Sequence, residues 1–568
     1  MKSKSQKFWI SMTLLWISIS ASAYDFEVDG ICYNVIDPSA LTCGVCGLDE
    51  NNSNNENPII PSHVSFSGKN LTVIEIQERA FEETDIVSIS LPSTCMSIGR
   101  SAFWRCSKLS AIDIPQGVTN IGSHAFSFCN SLTEISIPKS LTKIGEYAFS
   151  DCENIQNVNI SDLKSWCTIS FESGGCYNLS DTYTSNPLSN MKAQLLLDGE
   201  LISDLSFDDS INEISSGAFV GYSHIIGINL SDNIKSIGRY SFWNCQNLEK
   251  VRIGCGISEI PDFAFAQCPN LNNLYISDDE HELKFNGGTW GDRYNSIAVG
   301  YKAGDFRDSR LKEVYIGRNL VQPATTNAIK GYYAIFDQQE IDSVIIGPNV
   351  NLVTKSYFNG SLVSGSGLVG AVKNIRKLNI LPSKNPLSCM FEAVDYGVVS
   401  EGPFQTINLD SLILERNLEA QYKYDYVNFH RVNTFFDQCT NLSYFEIGNG
   451  ITDIGYLNLD KNEDIQSILV KSSVPPICSA QEFSKNVYIK CTVKVPLGYE
   501  DSYIMAPVWK NFWNIEGADF TSSIELIPDK VLKYPVGIYD IKGVRLKEPI
   551  NGLNIIKYSD GTTEKKYY

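Results

Sequence analysis

Histidine is scarce in this chain, with five among 568 residues. So few imidazoles lower the expectation of a His-based metal site or of catalysis that depends on histidine. Basic residues are also in short supply, because 46 Lys and Arg stand against 65 Asp and Glu and give a formal net charge of -19. An acidic surface repels polyphosphate, so this balance argues against general nucleic-acid binding.

Long apolar runs are lacking too. The apolar run at residues 8–19 has about 12 residues, whereas a helix needs about 20 to span a bilayer, and no later run is longer and as apolar. Three lysines precede it, and Ala21-Ser22-Ala23 follows it as a small-residue cleavage site. This order is typical of a secretory signal peptide over residues 1–23. We therefore expect the mature chain to begin near Tyr24 and to work outside the cytoplasm.

A 23-residue repeat organises most of the sequence. Ile98, Ile121 and Ile144 are 23 residues apart, and each is followed by Phe five positions later and Cys eight positions later. The same spacing returns from Ile214 and continues, with insertions, to Val470. We count roughly a dozen units, which is the pattern of a repeat architecture.

Each unit predicts one coil of a solenoid. The closing pattern Leu-x-x-Ile-x-Ile suits a short strand with its apolar residues facing inward. The preceding Ile-Gly-x2-Ala-Phe predicts a turn and a short helical or irregular arc. One unit cannot bury its apolar face alone, whereas stacked units can. The sequence therefore predicts short parallel strands along one side and arcs along the other, with Phe stacking on Phe.

These units resemble the BspA-type leucine-rich repeats of bacterial surface and secreted proteins over about residues 24–520. The resemblance implies a leucine-rich-repeat-like solenoid at residues 76–520 behind an N-terminal β cap at residues 24–75. It also implies an adhesin-like or host-interaction role. Long insertions after Ile276 depart from the family's pattern and put the regularity of the second half in question.

The C-terminal tail is separate from the repeats. Residues 521–535 are expected to be a linker, and residues 536–568 alternate as in a small β-module. This stretch is similar to the C-terminal module of secreted Bacteroidetes proteins, which can be a sorting signal for export. The alternative is a small β-module that packs on the solenoid or follows it.

The cysteines divide into two groups. Six share the repeat position and are expected to be small, buried, unreactive thiols: Cys106, Cys129, Cys152, Cys245, Cys268 and Cys439. Others lie outside it: Cys32, Cys43 and Cys46 could form a cap disulfide or stay free, and Cys167–Cys176 and Cys478–Cys491 are candidate local disulfides. We expect no metal and no cofactor, because ligand spacing of the zinc type is missing.

Catalytic motifs are missing as well. The sequence has no Ser-His-Asp arrangement, nucleophile elbow, phosphate-binding glycine loop or H-E-x-x-H. Its many carboxylates include no pair that spacing selects as acid and base. We therefore expect a protein that is not an enzyme.

The remaining candidate for function is a surface. Residues between the inward positions of a strand point outward, and Tyr and Arg are favoured binding anchors. The candidate ligand-binding residues are Arg252, Tyr275, Lys312, Tyr315 and Tyr444 on the strands, and Trp290 in an insertion. Ordinary polar covering of a sheet is the alternative interpretation, and the insertions at residues 277–310 and 415–434 are competing binding loops.

Two functions follow from this surface. The first is a secreted or surface-displayed protein that binds another macromolecule, most simply a protein. The second is a glycan-binding accessory protein in which Trp290 and the tyrosines stack on sugars. The sequence leaves the ligand and the oligomeric state open.

Overall fold

The computed structural model describes residues 24–172, 185–261, 263–285, 306, 309–321, 335–336, 339–354, 372, 374–394, 398–401, 404, 407–422, 435–436, 439–455, 457–479, 482–520, 535–539, 545–546, 553–558 and 563–567. The expected signal peptide, Cys176 and Trp290 lie outside these residues. The chain divides into two compact units, which we call unit 1 (Met1–Leu141 with Gly145–Asn154) and unit 2 (Thr142–Ile144 with Ile155–Tyr568).

Unit 1 consists of an N-terminal group of strands followed by repeat coils. Its strands are Phe26–Val28 (β1), Ile31–Asp37 (β2), Thr42–Leu48 (β3), His63–Phe66 (β4), Lys69–Ile76 (β5), Ser97–Ile98 (β6), Ala111–Asp113 (β7), Asn120–Ile121 (β8) and Glu134–Ile137 (β9). β1, β2 and β3 pair antiparallel, and β3 then pairs parallel with β5. Tyr33 and Val45 face each other across β2 and β3 and are fully buried, which anchors this group to a core.

The arcs of unit 1 stack ring on ring, as the repeat predicts. Phe126 lies between Phe103 and Phe149, with ring centroids 5.2 and 5.3 Å apart and nearly parallel planes. Phe81 extends the stack by 5.4 Å from Phe103. Offset stacking of this kind adds stability beyond the area that the rings bury.

The backbone of each arc explains how coils join there. In each arc, left-handed residues four positions apart, such as His124 (φ 58°) and Phe128 (φ 63°), alternate with residues in other backbone conformations. This alternation turns every second N–H toward the next coil, so that the Phe103 N–H donates to the Ala125 carbonyl at 2.8 Å and the Phe126 N–H to the Ala148 carbonyl at 2.9 Å. The arcs therefore have their own hydrogen-bond ladder, in addition to the strands.

The glycine of the Ile-Gly pair is required by close approach between coils. A Cβ at Gly122 would lie 2.5 Å from the Arg100 nitrogen and 2.6 Å from the Gly99 carbonyl carbon. Both contacts are with backbone, which cannot swing aside. The isoleucine before it ends a two-residue strand, and β6 and β8 pair parallel through Ile98 and Ile121. The structure thus adds a second, shorter strand ladder where the sequence predicts only a turn.

Unit 2 contains most of the strands. They are Lys143–Ile144 (β10), Asn157–Ile160 (β11), Ser170–Phe171 (β12), Gln194–Leu197 (β13), Glu200–Leu201 (β14), Asp204–Ser206 (β15), Glu213–Ile214 (β16), Gly227–Leu230 (β17), Ser236–Ile237 (β18), Lys250–Ile253 (β19), Glu259–Ile260 (β20), Asn273–Ile276 (β21), Leu283–Phe285 (β22), Glu313–Arg318 (β23), Leu320–Val321 (β24), Glu340–Asn349 (β25), Leu352–Thr354 (β26), Asn374–Ile380 (β27), Leu387–Val394 (β28), Val398–Glu401 (β29), Ser411–Leu414 (β30), Leu418–Tyr422 (β31), Tyr444–Ile447 (β32), Ser467–Val470 (β33), Thr492–Pro496 (β34) and Asn514–Ala518 (β35).

One sheet of twelve parallel strands runs through unit 2, in the order β15-β17-β19-β21-β23-β25-β27-β30-β32-β33-β34-β35. The insertions after Ile276 do not interrupt it, because β21 pairs with β23 in the same register as earlier coils. Part of the first insertion, β22, even continues the shorter ladder between β20 and β24. The fold is therefore a repeat solenoid, and the insertions leave its main sheet intact.

Helices are short throughout the described residues. The α-helices are Leu163–Thr168 (α1), Lys485–Lys490 (α2) and Glu500–Met505 (α3), and the 3-10 turns are Glu50–Asn52, Pro187–Asn190 and Trp509–Asn511. Asp162 and Ser484 cap α1 and α2 by accepting hydrogen bonds from backbone N–H groups. The described part of the chain contains no helix with the length and apolarity that a bilayer crossing requires.

A buried carboxyl lies near the end of the solenoid. Glu482 is 1% exposed, accepts a hydrogen bond from the Asn458 N–H through Oε1, and accepts one from the Ser479 hydroxyl at 2.7 Å through Oε2. Burial raises the pKa of Glu482 to about 7, and these hydrogen bonds offset the shift only in part. Protonation of this group is thus linked to folding near neutral pH.

Beyond the solenoid the chain forms a small antiparallel sheet. Its strands are Pro535–Tyr539 (β36), Arg545–Leu546 (β37), Leu553–Tyr558 (β38) and Thr563–Tyr567 (β39), in the order β37-β36-β38-β39. β36 thus begins at Pro535, one residue before the start of the C-terminal β-module expected at residue 536.

Candidate binding surface

The outward positions of the twelve-stranded sheet form two parallel columns. Many of its strands alternate a buried residue with one that is half-buried or exposed, as in β21, where Leu274 and Ile276 are fully buried. The register aligns the outward residues from strand to strand, so Arg252, Tyr275 and Tyr315 occupy one column. We call the outward side of this sheet the sheet face.

Arg252, Tyr275 and Tyr315 form a packed row on the sheet face. The two tyrosine rings stack with centroids 4.6 Å apart at 11°, and the Arg252 guanidinium lies 6.0 Å from the Tyr275 ring centroid. The Tyr315 hydroxyl donates to Asp278, with oxygen distances of 2.8 and 3.0 Å. Both tyrosines are therefore half-buried instead of freely exposed, because neighbouring strands hold their rings together.

An ion pair and the carboxyl of Asp278 set the electrostatics of this row. Arg252 Nη2 lies 3.1 Å from Asp232 Oδ1, and only 15% of the Arg252 side chain is exposed. Although burial opposes the charge, Arg252 and the Cys255 N–H hold the pKa of Asp232 below its usual value. Burial raises the pKa of Asp278, and the Tyr315 hydroxyl offsets this only in part.

Tyr444 belongs to a second cluster on the sheet face. Strand pairing from β23 to β32 aligns Tyr315 with Glu446, and Tyr444 lies two residues before Glu446. Tyr444 therefore lies in the other outward column. Its hydroxyl donates to Glu446 at 2.5 Å, and Lys471 bridges Glu446 and Glu415 at 2.5 and 3.2 Å. Burial alone would lower the pKa of Lys471, but the two carboxylates hold it above its ordinary value.

Lys312 and Trp290 complete the candidate residues. Lys312 immediately precedes β23 and is exposed. Its backbone N–H donates to the Asn272 carbonyl at 2.7 Å, which fixes the start of the strand. Trp290 lies outside the described residues, so the structure brings together Arg252, Tyr275 and Tyr315 but leaves Tyr444 several strands away.

Several residues of these clusters were missed by sequence reasoning. Asp232 and Asp278 each follow a Ser directly after a strand, so extending the repeat alignment two positions further would have found them. Arg318 and Arg416 are also unexpected, because both are nearly fully buried. Each donates to backbone carbonyls two coils back in the sheet order, as Arg318 Nη2 does to Gly254 at 2.9 Å, and this contact has no sequence signature.

The ladder cysteines are buried free thiols, which confirms the expectation for all six. Each Sγ donates to the carbonyl of the preceding coil's phenylalanine: Cys106 to Phe81 (2.9 Å), Cys129 to Phe103 (3.2 Å), Cys152 to Phe126 (3.0 Å), Cys245 to Phe219 (3.4 Å), Cys268 to Phe242 (3.3 Å) and Cys439 to Phe404 (2.9 Å). Burial raises the pKa of Cys152 to about 12. Such thiols are poor nucleophiles.

The remaining cysteines with described positions are free as well. Cys32, Cys43 and Cys46 are unpaired in the N-terminal strands, and so are Cys478 and Cys491 near the other end. Among the described residues, no group of three His, Cys, Asp or Glu side chains is arranged to hold a metal ion. The sheet face offers clustered side chains that are accessible at the surface.

Comparison with known families agrees with this architecture. The model of the BspA type leucine rich repeat region matches in six copies, over residues 62–180, 194–286 and 404–537. These matches cover more than half of the chain, so the chain belongs to this family of leucine-rich repeat proteins.

Several solved structures are similar to the chain. A leucine-rich repeat protein from Bacteroides ovatus is 17% identical over 87% of this chain and 100% of that chain, with a TM-score of 0.36. One from Bacteroides capillosus is 30% identical over 24% of this chain and 98% of that chain, with a TM-score of 0.22. A leucine rich cell surface protein from Faecalibacterium prausnitzii is 15% identical over 64% and 97%, with a TM-score of 0.22. No curated protein matches the chain.

Proposed function

We propose that this chain is a non-catalytic, adhesin-like binding protein, secreted or displayed on the cell surface, that recognises another protein through the sheet face. The observation that supports this most is the row of Arg252, Tyr275 and Tyr315, held at fixed spacing by the strand register. Rigid aromatic and arginine side chains are favoured anchors at protein interfaces, because little entropy is lost when they bind.

The geometry of the tyrosines favours a protein ligand over a glycan. Sugars stack on an open ring face, whereas Tyr275 has Arg252 on one side and Tyr315 on the other in the sheet order. Tyr315 has Ile345 as its register partner on the far side. The rings therefore offer edges, which suit contacts with a polypeptide surface better than stacking on a sugar.

The test is a parallel binding screen of the mature chain, beginning at Tyr24, on arrays of host proteins and of glycans. We expect saturable binding to one or a few proteins and none to simple glycans. Tyr315→Phe keeps the ring but removes the hydrogen bond to Asp278, so a hydroxyl-dependent interface should lose affinity in this variant while the fold is kept.

The variant Trp290→Ala tests whether the binding site lies on the sheet face or in the insertion at residues 277–310. Unchanged protein binding in this variant agrees with the sheet face as the site. Binding to glycans that is lost in Trp290→Ala would contradict the proposal and favour the glycan-binding alternative. Failure to bind any protein would also count against it.

A further inference from the structure

The last coil of unit 2 ends in an open sheet edge. β35 is the terminal strand of the twelve-stranded order and pairs with β34. Ile515 aligns with the fully buried Val493 yet is only half-buried, and among the described residues no strand pairs with β35 on its other side. An unprotected edge of this kind invites pairing or packing with another segment.

Large apolar side chains are concentrated on this last coil. Leu497 is 69% exposed, Ile504 52%, Met505 80% and Trp513 73%. Single exposed apolar residues are ordinary, but a group within one coil marks a surface that something else covers. We call this surface, defined by these four residues and β35, the terminal surface.

The four-stranded sheet of β36–β39, in turn, is small and needs a surface to pack against. It spans residues 535–567, and a unit below about 40 residues does not usually bury enough apolar surface to be stable alone. Ile538 pairs with Leu546 on one neighbouring strand and with Ile556 on the other, which places three apolar residues in one register row. One apolar face without a partner layer requires a second surface to pack against.

The connection and the charges select this sheet as the occupant. Fourteen residues, 521–534, join it to the terminal coil, so it stays within about 50 Å even if the connection is fully extended. This tether gives it a large advantage in effective concentration over any separate molecule. Residues 535–568 carry six Lys and Arg against four acids, although the whole chain is acidic. Around the terminal surface, Asp501 and Glu516 are exposed acids.

We propose that the C-terminal sheet, residues 535–567, docks on the terminal surface and closes the solenoid as an intramolecular cap. Docking covers the exposed apolar residues of the last coil and supplies the missing layer to the small sheet. Lys566 pairs with Asn554, two residues before Ile556, so the register places it on the same face of the sheet as Ile538, and it then faces the acids of the last coil.

Carbodiimide cross-linking of the full mature chain tests this contact, since it joins carboxylates to amines that touch. We expect links from Asp501 or Glu516 mainly to Lys566, and fewer to Lys557 or Lys565, which the register places on the opposite face of the sheet. A mixture of light and ¹⁵N-labelled chains separates links within one chain from links between chains. Links between chains alone would mean that a second copy covers the surface, and an absence of links to the sheet would also overturn the proposal.

Hydrogen exchange of the variant Leu497→Asp with Trp513→Asp gives an independent readout. Both residues are highly exposed, so the solenoid should keep its protection while the C-terminal sheet exchanges at least about tenfold faster. Ile59→Asp, at a residue that is 75% exposed in unit 1, is the matched control and should change nothing in the sheet. Equal protection of the C-terminal sheet in the wild type and the double variant would contradict docking.

Discussion

Replacing Phe126 by alanine should destabilise unit 1 severely. Phe126 is fully buried and its ring lies between those of Phe103 and Phe149. The substitution removes two stacked contacts at once and leaves a cavity in the middle of the arc ladder. The surrounding coils cannot collapse into it, because their spacing is fixed by hydrogen bonds such as that from the Phe126 N–H to the Ala148 carbonyl.

The magnitude follows from the buried area and the cavity. An aromatic side chain buries about 150–250 Å², which corresponds to about 4–6 kcal/mol at 25 cal/mol per Å². Alanine retains part of this, and core Phe→Ala changes cost about 3–5 kcal/mol. Because both ring neighbours are lost here, we expect about 4 kcal/mol.

Denaturant unfolding with a matched control measures the effect. Phe128 lies two residues later on the same arc but is 37% exposed, so Phe128→Ala should cost about 1 kcal/mol or less. Hydrogen exchange of the same variants should place the loss in the coils next to Phe126, since the stability of a repeat array is largely a sum over neighbouring coils. A cost below about 1 kcal/mol for Phe126→Ala, or equal costs for the two variants, would refute the stacked ladder.

Three further predictions follow from the structure. Cys129 should react with a thiol reagent in the native protein far more slowly than the half-exposed Cys255, and mass mapping that finds equal rates would contradict its burial. Gly122→Ala should cost more than about 2 kcal/mol in thermal or denaturant unfolding, because its Cβ would meet backbone atoms; a neutral result would mean the coils are further apart. Glu482, with its pKa raised to about 7, binds a proton more tightly in the folded state, so its contribution to stability is largest near pH 4.5 and falls by about 2–4 kcal/mol as pH rises through about 7. Urea unfolding of the wild type and of Glu482→Gln between pH 4.5 and 8 measures this, and a constant difference between the two would rule it out.

The sequence predicts the repeating part of the fold well, because periodicity carries direct information on which residues face inward. The phenylalanine and cysteine ladders and the buried strand positions such as Ile135 and Val251 occur where the repeat places them. The insertions after Ile276 misled the same reasoning. Regular spacing in sequence is not needed for regular stacking, since β21 and β23 pair in register although 36 residues, 277–312, separate the two strands.

The candidate site is less predictable, for a physical reason. A period of two along a strand separates inward from outward residues, but it does not reveal what an outward residue touches on the next coil. Tyr275 and Tyr315 were identified as outward, yet their stacking and the Asp278 contact depend on the register of two strands. The contact of Arg318 is still harder to predict from the sequence, because its carbonyl partners belong to a coil two positions away.

A pair of charge reversals tests the central claim, that the sheet face recognises a protein, most directly. Lys377 is exposed on β27 in the same outward column as Tyr444, whereas Lys490 is exposed at the end of α2, outside the strands of the sheet. Affinity for the protein ligand is measured for Lys377→Glu and Lys490→Glu at equal stability. We predict that Lys377→Glu weakens binding by about tenfold or more, equivalent to about 1.4 kcal/mol, while Lys490→Glu binds as the wild type does. Unchanged binding by Lys377→Glu together with loss in Lys490→Glu would contradict the sheet face as the site.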